Sequence, residues 1–301
     1  MPAKSKAKSK TKTRTEIDVL RADSLAGVPW LVHGFSTRAG GFSKAYGGRA
    51  LNLGLTAHDS RAAVERNRQA FAAAVVAKTK KKAAPWPVVT LRQIHSDLIH
   101  HVAAVPKQPL AGDGLVTNTP GILLAVLTAD CLPIILTDTK RHAVGVFHAG
   151  WRGTVNRIVE KGVGEMRRYF GSRPGDLKAV IGPGIRNCCY QVGPEVRDAF
   201  ESQFSYASSL FRHTKETDEI HEKYPLLFLT SRAPGHSELP QQIFLDLAEA
   251  NRRQLLDAGV LKKNISETAL CTACRTDLLF SHRAEHGVTG RMMAAAGIRK
   301  P

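Results

Sequence analysis

The sequence predicts an α/β protein with mixed β-sheets, and three observations carry that prediction. From Val88 to Ala149 short β-branched runs follow one another, punctuated by Pro, Gly and Asp, which is the chemistry of strands and turns. Segments with apolar residues at helical spacing flank this block at 60–77 and 154–170. Strands and helices do not alternate in a strict βαβ rhythm, and no G-x-G-x-x-G is present, so a doubly wound dinucleotide fold is not expected.

Taken in order, residues 1–15 form a basic tail with Lys4, Lys6, Lys8, Lys10, Lys12 and Arg14 among Ser, Thr and Ala. Such a composition is expected to be disordered. The folded part is expected over 16–301, long enough for one large domain or two small ones. The Gly-rich stretch 33–55, which carries Arg38, reads as a long shaped loop between short strands. In 60–77, Val64, Asn67, Ala70, Phe71 and Val75 share a helical face and Ser60 is placed to cap it. The run Lys78, Lys80, Lys81, Lys82 and then "APWP" end that helix. Strands are expected in "VVTLRQ", "LIHHVAAV", "DGLVT", "GILLAVLTA", "LPIILTD" and "HAVGVFHA". An amphipathic helix follows at 154–170, then a strand at 177–182 and a helix from Pro194. An insert at 205–240, a helix at 244–258 and a strand at 265–270 complete the reading.

Composition narrows the functional classes. With 43% hydrophobic and 23% charged residues the chain is ordinary for a globular protein. The longest apolar stretch is broken by Asp130 and Pro133, so no membrane span is expected. The N-terminus lacks a secretory h-region, which makes a cytoplasmic location the expectation. A net charge of +17 allows salt-sensitive contact with polyanions, but no motif for specific nucleic-acid recognition accompanies it. Five cysteines are an odd count that fits reduced thiols, and Cys188 and Cys189 read as small buried residues.

Three phrases carry the chemistry: "LRQIHSD" (91–97), "LTADCLP" (127–133) and "VFHAGWRG" (146–153). Each sets a metal-ligand type, His95, Cys131 or His148, at the end of an apolar run. Their separations of 36 and 17 residues mean that only a fold could gather them. Two imidazoles and a thiolate with an open fourth position would suit a catalytic zinc. Spacing alone leaves two alternatives, packing residues or a cysteine hydrolase with His148 or His95 as the base of Cys131. "HSE" (236–238) with "CTAC" (271–274) imitates a zinc nucleobase deaminase site, but Leu270 stands where a Pro is expected. Arg38, Arg152 and Arg275 sit in or beside turns where a guanidinium could fork onto phosphate. Asp113 reads as a turn residue or a catalytic acid or base.

Together, "HGFSTRAGGFS", "LNLG", "RQIHSD", "TADCLPIILTD", "FHAGWRG", "IGPGIRNCCYQVGPEV" and "CTACRTDLLFSHRAEHGVTGR" resemble the YfiH-like family, also called the laccase-domain or polyphenol oxidase family. The match runs in order from His33 to Arg291. The resemblance implies a single catalytic domain over 16–301, an α/β/β/α sandwich similar to the catalytic domain of the cytotoxic necrotizing factor toxins. It also implies zinc on His95, Cys131 and His148, and a purine nucleoside and phosphate as substrates. Family members cleave adenosine, inosine, guanosine and methylthioadenosine and deaminate adenosine. Arg38 and Arg152 are then the expected phosphate holders. Laccase chemistry fits less well, because four coppers need about ten imidazoles in His-x-His pairs and the chain has no His-x-His. Copper would be an adventitious occupant of the zinc site. A metal- or cysteine-dependent amidase editing peptidoglycan precursors and a polyanion-binding protein are the other readings, and the sequence assigns no oligomeric state.

Overall fold

The apolar runs between 88 and 149 pair as strands of two sheets that share a core. In the computed structural model, which describes residues 17–77, 86–215 and 241–300, the first sheet has the order β1 (Val19–Leu20), β2 (Leu31–Ser36), β17 (Met292–Ile298), β9 (Leu123–Thr128), β4 (Val88–Val89). The second has the order β16 (Ile265–Glu267), β12 (Leu177–Ile181), β10 (Leu132–Asp138), β11 (Ala143–Ala149), β8 (Gly114–Thr117), β6 (Ile99–His101). Both are mixed: β4 runs parallel to β9 and β6 parallel to β8, while β10 and β11 are antiparallel. Smaller sheets join β5 (Leu91–Arg92) to β7 (Leu110–Ala111), and β13 (Gln191–Val192) to β15 (Gln241–Leu245) and β14 (Phe211–Lys215). The remaining strand is β3 (Ala39–Ser43).

Strand alternation sends successive side chains to opposite faces, and here both faces are covered. Leu124, Val126, Ala294 and Ala296 of the first sheet meet Ile135, Val144, Val146 and Val180 of the second. The other face of the first sheet, with Leu123, Ala125, Met293 and Ala295, packs on Phe71 and Val75 of α1 (Arg61–Val76). Leu132, Ile134, Leu136 and Phe147 face α3 (Ile158–Phe170) and α5 (Leu247–Asp257). Burial on two sides explains why β9, β10 and β11 read as nearly continuous apolar runs.

Ser60 caps α1 as expected, its Oγ accepting from Ala63 N–H at 3.2 Å. Several boundaries differ from the reading of the sequence. Strands β2 and β3 occupy 33–36 and 39–43 of the supposed loop at 33–55, because all six β2 residues are buried beside β17. The helix expected at 154–170 is two, α2 (Trp151–Val155) and α3, separated where Arg157 takes φ 63°. At 244–258, β15 precedes a helix whose N-cap is Asp246, accepting from Glu249 N–H at 2.9 Å. Helix α4 (Pro194–Glu201) starts where expected. Strand β17 went unpredicted, since Ala294, Ala295 and Ala296 favour helices and only pairing on both edges makes them a strand. The basic tail, the Lys78–Lys82 run and most of the insert, including His236–Glu238, lie outside the described residues. No described helix is long and apolar enough to cross a membrane.

His33 of β2 shows how tightly this core is set. It is 5% exposed, and its Nε2 accepts the Ala22 N–H at 3.0 Å. Burial, helped by the Arg21 charge, lowers its pKa to about 4. The folded state therefore binds fewer protons than the unfolded state below the ordinary value of 6.5. Stability from this group is complete above that value and is lost as pH falls towards 4. Thermal melts of wild type should lose on the order of 3 kcal/mol across that window relative to His33→Gln, which keeps an acceptor and does not titrate. Parallel melting curves for the two proteins would refute this.

Candidate metal centre

Sheet register brings the three ligand candidates together. Pro133 of β10 pairs with His148 of β11, so Cys131, just before β10, comes to the end of the sheet where His148 lies. Phe147 pairs with Gly114 of β8, which sets Asp113 beside His148, and His148 N–H donates to the Asp113 carbonyl at 2.7 Å. His95 arrives on the segment after β5. That segment is tied to β9 by Gln93, whose Nε2 donates to the Leu127 carbonyl at 2.8 Å and whose Oε1 accepts Leu127 N–H at 2.7 Å.

One donor atom from each of His95, Cys131 and His148 lies within 4.8 Å of the others. The two imidazole centroids are 5.0 Å apart and the rings cross at 70°. Asp113 is wholly buried, and its Oδ1 holds His148 Nδ1 at 2.8 Å. This fixes the ring and leaves Nε2 as its free donor. Its Oδ2 accepts Ile94 N–H at 3.2 Å, Ser96 N–H at 2.6 Å and Ser96 Oγ–H at 2.7 Å. Asp113 is thus neither an exposed turn residue nor open to the cavity. It supports the ligand behind it.

Burial opposes charge on Cys131, yet His148 and a hydrogen bond from His95 lower its pKa to about 6. Burial likewise opposes charge on His148, but Cys131 and Asp113 raise it to about 9. For Asp113 burial is outweighed by the hydrogen bonds from His148 and Ser96, and its pKa falls to about 2. A thiolate is therefore available at neutral pH, and the thiolate is the metal-binding form.

The donor set fits a zinc-like ion. Three nitrogen and sulfur donors with one side open are the arrangement of a catalytic site. Gly150 keeps the space clear, because a Cβ there would stand 3.0 Å from Cys131 Sγ and 3.2 Å from His95 Cδ2. Two residues of the site, the ligand candidate His95 at φ 58° and Asp130 beside Cys131 at φ 91°, hold left-handed backbone. Such conformations cost roughly 1–3 kcal/mol each and need outside support. For Asp130 that support comes from Thr272 Oγ1 at 2.6 Å, Ser281 Oγ at 2.7 Å and Arg283 N–H at 2.7 Å on its carboxylate, and from Ile185 N–H at 2.7 Å on its carbonyl.

The centre opens into a cavity of about 500 Å³. Leu55, Leu91, Leu127, Ile185 and Tyr190 supply its apolar lining, and His282, Arg283 and Arg291 its basic side. Sequence reading singled out none of Asp130, Tyr190, Arg283 and Arg291 as site residues, although all four lie within the quoted phrases. The expected arginines sit elsewhere. Arg38 donates to the Thr276 carbonyl at 2.5 Å and to Glu285 at 3.0 Å, and lies 4.8 Å over the Phe280 ring. Arg152 is exposed and rests 4.3 Å over Trp151, and Trp151 lines a second hollow of about 420 Å³ that shares Tyr190 and Arg283 with the first. Arg275 forms an exposed pair with Asp277 at 2.8 Å. Cys188 is exposed and Cys189 half-buried, not the small core residues expected, because both turn towards Cys271 and Cys274.

Known proteins resemble this chain along most of its length. Residues 32–299 match the family described as multi-copper polyphenol oxidoreductase laccase. A Bacillus subtilis protein named purine nucleoside phosphorylase YlmD is 32% identical over 280 residues, covering 90% of this chain and 89% of its own. A protein named adenosine deaminase RL5, from an unknown prokaryotic organism, is 36% identical over 171 residues, 57% of this chain and 56% of its own. The crystal structure of the Bacillus licheniformis hypothetical protein YfiH aligns with a TM-score of 0.73 at 32% identity, covering 89% of this chain and 93% of that one.

Replacing Asp113 by Asn keeps the shape but removes the charge behind His148. Zinc affinity, measured by competition with a chromogenic chelator, should fall about 10–100-fold. An unchanged affinity would show that His148 is oriented without it.

Proposed function

The chain belongs to the multi-copper polyphenol oxidoreductase laccase family, and on that premise we propose that it is a zinc-dependent purine nucleoside phosphorylase with adenosine deaminase activity. Its substrates would be adenosine, inosine, guanosine and methylthioadenosine. One observation carries the reading: a His/His/Cys donor set opens into a cavity with an apolar wall and two arginines. The names of the relatives supply the reaction class.

His95, Cys131 and His148 would hold the zinc, and when bound it would supply Lewis acidity at the end of the cavity. Leu55, Leu91, Ile185 and Tyr190 would offer the purine an apolar surface. Arg283 and Arg291 are the cavity's own cations for phosphate, held close to a sugar carbon that gains oxocarbenium character. Arg152 stacks on Trp151, which lines the adjoining hollow, and joins them as a candidate phosphate holder. Arg38, already committed to Thr276 and Glu285, would act by bracing the segment that carries Arg283. Asp113 keeps the proton on His148 Nδ1, so Nε2 always faces Cys131.

A second reading rests on the hydrogen-bonded order Cys131, His148, Asp113, which is also that of a cysteine hydrolase. Metal content separates the two, since a ligated thiolate is not free to attack carbon. The donor set does not match a four-copper oxidase, because two imidazoles and one thiol serve one metal.

Zinc-loaded protein given adenosine and phosphate should form ribose 1-phosphate and adenine, with inosine as a second product. Even outer partners of such ligands cost about 10–100-fold when lost, so Cys131→Ala should reduce turnover by at least about 100-fold. Formation of neither adenine nor inosine by loaded wild type would refute the proposal. Arg283→Ala should raise the phosphate KM roughly tenfold with a smaller change in kcat, as expected for a lost charge-assisted hydrogen bond. A normal phosphate KM would return the role to Arg152.

A further inference from the structure

We propose that Cys188, Cys189, Cys271 and Cys274 form a second metal site, a four-thiolate centre for a zinc-class ion that fastens the wall of the cavity. The four sulfur atoms lie within 4.8 Å of one another, with Cys188 to Cys274 at 3.6 Å and Cys189 to Cys274 at 3.3 Å. Zinc–sulfur bonds of about 2.3 Å in a tetrahedron place sulfurs about 3.8 Å apart, close to this spacing. A disulfide would need about 2.05 Å, and all four thiols are free.

The backbone prepares the quartet independently of any ion. Gly184 N–H donates to the Leu270 carbonyl at 3.3 Å and Thr272 N–H to the Gly184 carbonyl at 3.2 Å, which lays the two cysteine segments side by side. Each segment then turns: Cys189 N–H and Tyr190 N–H donate to the Arg186 carbonyl at 2.9 and 2.8 Å, and Arg275 N–H to the Cys271 carbonyl at 3.1 Å. C-x-x-C is a usual zinc-ligand spacing, and here its second half comes from "CC" 82 residues earlier in the chain.

This centre shares no residue with His95, Cys131 and His148, yet it reaches them through two short paths. Cys189 adjoins Tyr190 of the cavity wall. Cys271 adjoins Thr272, which holds the Asp130 carboxylate next to Cys131. An ion bound by the four thiolates would therefore fix the wall and the Cys131 turn relative to each other. Cys188 and Cys274 are exposed, so the ion could enter from solvent.

The test uses the full chain carrying Cys131→Ala, which disables the first site and keeps this result independent of the proposed activity. Reduced, metal-free protein is titrated with Co²⁺ or Cd²⁺. The expected result is thiolate-to-metal charge-transfer absorption that saturates at one equivalent, with Cys188, Cys189, Cys271 and Cys274 protected from alkylation by the metal. Adding Cys274→Ser or, separately, Cys188→Ser should weaken binding by at least about 100-fold, as loss of a direct ligand must exceed that of an outer partner. Circular dichroism of the metal-free variants would verify that the fold is kept. No charge-transfer band, equal alkylation with and without metal, or disulfides among the four in protein purified without reductant would each overturn the proposal.

Discussion

The Asp113 carboxylate accepts from four donors at once, one on the His148 ring and three on the segment that carries His95. A buried carboxylate without partners would cost several kcal/mol, so its presence obliges β8, β11 and the His95 segment to converge. That obligation places two of the three metal-ligand candidates. Asp130 makes a similar demand on the third, drawing Thr272, Ser281 and Arg283 towards the turn that presents Cys131. Two carboxylates, Asp113 behind His148 and Asp130 at the cavity edge, therefore determine how the three donors are presented.

Packing behind the site makes this arrangement rigid. The Phe147 ring, next in sequence to His148, is fully buried where Gly114, Gly145 and Gly162 leave room. A Cβ on any of the three would come within 2.9 Å of the ring. Losing such a ring costs about 3–5 kcal/mol in other proteins, because a close-packed interior relaxes little around a void. The left-handed backbone at His95 and Asp130 persists because its surroundings leave it no alternative.

The family's name and the site's chemistry point in different directions. Function resides in the site rather than in the fold, and here the site offers two imidazoles and one thiolate beside a cavity with arginines. Lewis acidity and anion binding suit such a set better than the transfer of electrons among several coppers. A second group of sulfur donors, Cys188, Cys189, Cys271 and Cys274, adjoins the cavity through Tyr190 and Thr272.

Local interactions were legible in the sequence because their causes lie within a few residues. Ser60 and the spacing of Val64, Phe71 and Val75 mark α1, and β-branched runs mark β8 to β12. The three ligand types were visible at the ends of their strands, and the ordered phrases around them identified the family. Long-range convergence was not legible. Sheet register turned Asp113 from a turn residue into the support of His148, and neighbouring carbonyls drew Arg38 away from the cavity. Pairing on both edges made an alanine-rich segment into β17. Residue identity by itself determined which donors the protein possesses. The tertiary structure decided which of them meet, because buried charge must be satisfied and a close-packed core allows few ways to do so.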